Sequence, residues 1–131
     1  MQEQQLKRLE WTRDETILAL DLYFKRNGPA WGSLRETDAS VIELSDFLRG
    51  LPIYDVSDRA DSFRSPRAVR MKLFNLFRWD PSHNNDGRSV LPNGSATEKQ
   101  VWESFAYDRT YLASVAGAIR ENFKNPSDQP S

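Results

Sequence analysis

The segment 12–26 constrains the fold more than any other part of this chain. It opens Thr12-Arg13-Asp14-Glu15, continues through Ile17, Leu18, Ala19, Leu20, Leu22, Tyr23 and Phe24, and runs into Asn27-Gly28-Pro29. Thr12 and Glu15 have capping-box spacing: the hydroxyl accepts the Glu15 N–H while the carboxylate reaches back to the Thr12 N–H. A helix from Thr12 to about Arg26 is therefore predicted, stopped by Asn-Gly-Pro. Its apolar residues leave only a narrow polar arc around Asp14, Asp21 and Lys25. A helix so apolar must be packed on more than one side, so the rest of the fold is expected to surround it.

Four further helical patterns are visible, and no convincing strand. A second helix is expected over 38–49, with Val41, Leu44, Phe47 and Leu48 on one stripe and Gly50-Leu51-Pro52 ending it. The third has Ser65 as N-cap and Pro66 at the first helical position, and runs to about Arg78. The fourth starts at Ala96 or Thr97, with Val101, Trp102, Phe105 and Ala106 as its buried edge. Asp108 caps the fifth, whose stripe is Leu112, Val115, Ala116, Ile119 and Phe123. Two long connections, 51–64 and 79–95, carry Pro52, Pro81, Gly87, Pro92 and Gly94, and loops of that length are uncommon unless they bind something. The reading is an all-α fold of about five helices. One domain of 124 residues is expected, with 125–131 (Asn-Pro-Ser-Asp-Gln-Pro-Ser) as a linker-like tail.

Composition narrows the chemistry. The chain has no cysteine and one histidine, which removes disulfides, cysteine-ligated zinc and a thiol nucleophile, and disfavours His-rich metal sites. Its apolar runs are too short to span a bilayer, and the N-terminus lacks the apolar stretch of a signal peptide. A cytoplasmic globular domain is the expectation, with no membrane partner. The formal net charge is −1 over 131 residues, so the chain is not polybasic as a whole.

Its positive charge is gathered locally. Between residues 59 and 78 stand Arg59, Arg64, Arg67, Arg70, Lys72 and Arg78 against Asp61 alone, a net of +5 that leaves −6 for the rest of the chain. Such a patch attracts phosphates. At about 100° per residue, Val69, Leu73, Leu76 and Phe77 share one face of the third helix and Arg67, Arg70 and Arg78 the other, with Met71 and Phe74 among the arginines. Arginine interleaved with apolar groups suits a duplex groove: guanidinium to phosphate or guanine, apolar group to a pyrimidine methyl. The Ser65-Pro66 start leaves backbone N–H groups facing outward beside Arg64. Arg64, Ser65, Arg67, Arg70, Met71, Lys72, Phe74 and Arg78 are thus the candidate DNA contacts. Arg64, Ser65 and Lys72 are assigned to phosphates, and Arg67 and Arg70 to possible base contacts.

The layout points the same way. A capped helix beginning Trp-Thr-x-x-Glu, an amphipathic second helix and a basic third helix form the order of a tri-helical helix-turn-helix domain, whose third helix enters the major groove. Here the 51–64 connection is too long for a tight turn, so the core is an elaborated variant with two long loops.

The same residues carry a family resemblance. Trp11-Thr12-Arg13-Asp14-Glu15, Leu18-Ala19-Leu20-Asp21-Leu22-Tyr23, Glu43-Leu44-Ser45 with Leu48-Arg49 and Leu51-Pro52, Phe63-Arg64-Ser65-Pro66 with Val69, Met71-Lys72-Leu73 and Asn75, then Asp80-Pro81 and Val101-Trp102 with Phe105-Ala106, follow in order. Together they resemble the N-terminal domain of McrA-like HNH restriction endonucleases, enzymes that cleave DNA carrying modified bases. The resemblance implies a DNA-sensing module without catalytic residues of its own, reading 5-methylcytosine or a related base, with an HNH nuclease domain following in the full-length protein. One departure stands out: where such domains read Asn-Pro-Asn-Gly-Val, this chain has Ser65-Pro66-Arg67-Ala68-Val69. A long cation replaces small polar groups there, which favours DNA and weakens any transfer of which modification is read.

No catalytic constellation accompanies this. A lone His83 is insufficient for an HNH centre, no [DE]-x-K signature supplies carboxylate and lysine for metal-assisted cleavage, and neither a P-loop nor a G-x-S-x-G elbow occurs. Asp80 and Asp86 read as turn-forming acids before metal ligands. No cofactor is implied. Modified bases are held by stacking between aromatic faces, so Trp31, Tyr54 and Trp79, in or beside loops, are candidate base contacts, with His83 a candidate loop donor. Trp11, Trp102 and Phe105 have helical spacing and read as core. The rival reading is a protein-interaction module whose basic helix docks an acidic partner.

Overall fold

In the computed structural model, which describes residues 9–26, 34–81 and 95–123, the five expected helices are present: α1 Arg13–Lys25, α2 Ala39–Arg49, α3 Pro66–Phe77, α4 Ala96–Phe105 and α5 Arg109–Asn122, with one 3₁₀ turn at Val56–Asp58. No strand occurs among the described residues. The fold is all-α. Trp31, His83, Asp86 and the 125–131 tail lie outside the described residues.

The helix starts follow from local chemistry. At α1 both halves of the capping box form: Glu15 N donates to Thr12 Oγ1 at 3.3 Å, and Thr12 N donates to Glu15 Oε1 at 2.9 Å. Ser65 Oγ accepts the Ala68 N–H, Ser95 Oγ accepts from Thr97 and Glu98, and Asp108 accepts from Tyr111. Asp38 occupies the N-cap of α2 without a side-chain cap bond there. Each satisfied cap ties down a donor that the helix cannot serve itself. Replacing Thr12 with alanine should lower stability by about 1 kcal/mol, seen as a lower denaturant midpoint at unchanged slope.

α1 is the axis of the molecule and packs against all four other helices; α3 also packs on α2, and α4 on α5. Ile17, Leu18, Ala19, Leu20 and Tyr23 are essentially inaccessible, and around them lie Val41, Leu44, Leu48, Val69, Leu73, Leu76, Val101, Phe105, Leu112 and Ala116. Burial of each large side chain contributes roughly 1.5–3 kcal/mol, so this shared axis holds the bundle together. Of the polar arc, Asp21 is buried while Lys25 is exposed, and the polar Glu15 and Thr16 beside it are buried as well. One stripe assignment needs correcting, that of Phe123. Phe123 ends α5 at its C-cap and is exposed, whereas Phe47, half-buried, packs against the core. No described helix is long and apolar enough to cross a membrane.

Candidate functional site

The six cations between residues 59 and 78 divide into two groups. Arg59, Arg64 and Lys72 turn inward; Arg67, Arg70 and Arg78 belong to the outward side of α3 or its end.

Arg64 is 4% exposed. Its Nε donates to Glu15 Oε2 at 2.6 Å and its Nη2 to Glu15 Oε1 at 3.0 Å, a two-pronged pair. Nη1 and Nη2 also donate to the Leu9 and Glu10 carbonyls. The guanidinium lies 4.4 Å from the Phe63 ring centre and 4.7 Å from that of Trp11. The Arg64 backbone is left-handed, with φ of 46°, which costs an L-residue roughly 1 kcal/mol. Ser45 Oγ donates to its carbonyl at 2.7 Å and helps hold that turn. The assignment of Arg64 to a phosphate is therefore corrected: its fork is filled by an internal carboxylate and two carbonyls.

Lys72 is corrected for the same reason. It is 8% exposed, and its Nζ meets Glu98 Oε2 at 2.6 Å. The other Glu98 oxygen accepts the Trp79 indole N–H at 3.1 Å, and the Trp11 ring lies 5.1 Å from Lys72 Nζ. Trp11 thus borders both buried cations, joining the starts of α1 and α4 to α3. Arg59 is half-buried and is also engaged within the chain, donating to the carbonyls of Arg49, Leu51 and Tyr54 at and just beyond the end of α2.

Two loop aromatics are also committed inside. The Tyr54 hydroxyl donates to the Glu10 carbonyl at 2.7 Å, with its ring edge-on to Phe63. Trp79 packs against the core and is anchored by Glu98. Both are structural aromatics in this arrangement, a correction to their assignment as base contacts.

What remains outward on α3 is a compact set. Arg67 and Met71 are exposed, Met71 by 50%, and Arg78 is exposed at the C-cap. Arg70 is half-buried, its guanidinium 4.7 Å from the Phe74 ring centre and its Nε bonded to the Leu34 carbonyl at 3.1 Å. Phe74 is half-buried beside it, and Asn75 is half-buried as well. α3 carries no acidic residue at all. Ser65, at its start, is half-buried, with Oγ engaged as the helix cap. From Arg67 to Arg78 the helix rises about 16 Å, roughly five base pairs at 3.4 Å each.

No comparable concentration occurs elsewhere among the described residues. A groove of about 590 Å³ between α1, α2 and α5 has an apolar floor of Leu18, Leu22 and Leu44. Its charges are matched in pairs: Lys25 with Asp21, Arg26 with Asp38, and Arg120 with Glu43. Among the described residues no group of three or more His, Asp or Glu side chains is placed to hold a metal. Asp80 accepts a 2.7 Å hydrogen bond from the Tyr23 hydroxyl.

That bond has a pH consequence. Burial, reinforced by the Asp80 carboxylate, pushes the Tyr23 phenol far above its ordinary range. In the unfolded chain it ionises near pH 10, so the stability it contributes is intact below that pH and lost progressively above it. Tyr23→Phe should cost about 1 kcal/mol at neutral pH and make the decline above pH 10 shallower, measured by urea unfolding across pH.

Comparison of the chain with protein families, with curated proteins and with solved structures finds no match.

Proposed function

We propose that this chain binds double-stranded DNA through the outward face of α3 and contributes no catalytic residues itself. The observation that carries the reading is a helix face with three arginines, an exposed methionine, an asparagine and no carboxylate. Arg67 and Arg78 offer guanidinium groups near the two ends of α3, suited to phosphate or guanine. Met71 between them supplies an apolar contact for a thymine or 5-methylcytosine methyl group. With Arg64 and Lys72 held by Glu15 and Glu98, α3 brings at most three cations to the duplex, not five.

The resemblance to the N-terminal domains of McrA-like endonucleases supports a more specific role: a sensor of modified bases, working in the cytoplasm ahead of an HNH nuclease domain. The test is a binding comparison of duplexes identical in sequence, either unmodified or carrying 5-methylcytosine, 5-hydroxymethylcytosine, N6-methyladenine or phosphorothioate. Tighter binding to one modified member is the expected result. Equal affinity across the set keeps DNA binding and removes modification sensing. Absence of duplex binding at low salt removes both and leaves docking of an acidic protein as the use of this face.

A further inference from the structure

We infer that Asn75 reads an adenine in the major groove, an inference that rests on the DNA-binding reading and adds a base preference to it. Arg67, Met71 and Asn75 are spaced four residues apart, so they form one line along the outward side of α3, rising about 6 Å per step. Each step covers nearly two base pairs. Asn75 is half-buried, and its side-chain amide has no hydrogen-bond partner among the described residues. Asparagine is also a poorer helix former than alanine, so the amide gives α3 nothing that a methyl group would not.

The chemistry of the amide fits one base edge. Its carbonyl accepts from adenine N6–H while its NH₂ donates to N7, a pairing that no other base offers in that geometry. One turn earlier, Met71 presents a thioether and methyl group to a thymine methyl. The pair therefore selects neighbouring A·T pairs, whereas the arginines at either end supply affinity that depends less on sequence.

The experiment selects bound duplexes from a random-sequence pool, using the folded chain and Asn75→Ala side by side. The wild type should enrich adenine at one position by about tenfold or more. Asn75→Ala should lose that enrichment, bind the selected adenine-bearing duplex about tenfold more weakly than wild type, and melt at the same or a higher temperature. Replacing the selected adenine with 7-deazaadenine, which lacks N7, should weaken the wild type and leave Asn75→Ala unchanged. A wild type that binds the pool without an adenine preference, or an Asn75→Ala chain that retains one, overturns the inference and leaves the functional reading standing. A chain that binds no duplex in the pool overturns the functional reading itself, and this inference with it.

Discussion

Arg64→Ala should cost about 3–5 kcal/mol of folding stability, the range for removing one partner of a buried ion pair. The loss has three physical sources. Glu15, inaccessible in the folded chain, would keep a carboxylate with no cation against it. The Leu9 and Glu10 carbonyls would lose their guanidinium donors. Alanine would inherit the left-handed backbone at φ 46° without the side-chain bonds that hold it. Against the 5–15 kcal/mol of a typical domain, this is enough to unfold a substantial part of the population on modest heating. Glu15→Gln should also destabilise, by leaving the guanidinium without its counter-charge. The double variant Arg64→Ala with Glu15→Gln should cost less than the two single changes added together, because neither buried charge remains. Chemical unfolding of the four proteins measures this. An Arg64→Ala chain as stable as wild type but defective in DNA binding would return Arg64 to the surface role that its sequence context suggested.

The second large effect concerns binding. Arg67→Ala combined with Arg70→Ala should weaken duplex affinity by about 2 kcal/mol or more, roughly thirtyfold, and flatten the salt dependence by about one unit per phosphate contact removed. The two arginines differ. The Arg67 side chain makes no hydrogen bond or ion pair among the described residues, so its removal should leave stability nearly untouched. Arg70 bonds to Leu34 and stacks on Phe74, so its variant needs a melting curve beside each binding curve. Arg67→Ala alone is the cleaner probe. A folded double variant that binds as tightly as wild type would remove α3 from the interface.

The helices were legible because their signals are local. Thr12 with Glu15, Ser65 with Pro66, and Asp108 mark starts through bonds spanning three residues, and Val69, Leu73 and Leu76 mark the inward face of α3 by spacing alone. The ion pairs were not legible as pairs. Arg64 meets Glu15 across 49 residues and Lys72 meets Glu98 across 26, distances that only the packed bundle closes. One hint was present: Lys72 stands three residues after Val69 and four before Leu76, on the buried side of the helix. Its charge argued for solvent, but spacing carried it inward, where Glu98 makes burial tolerable. Glu15 was visible only as a capping acid, although a carboxylate has acceptor sites left over for a guanidinium. Asn75 entered the sequence argument only through resemblance, and its place between Met71 and Arg78 gives it a physical reason.

Salt titration of duplex binding by the folded wild-type chain tests the central claim most directly. With at most three cations of α3 at the phosphates, log K against log salt should fall with a slope no steeper than about −2.7. No binding at the lowest salt contradicts DNA recognition by this face, and a slope near −4.5 contradicts the division of its cations into outward contacts and internal pairs.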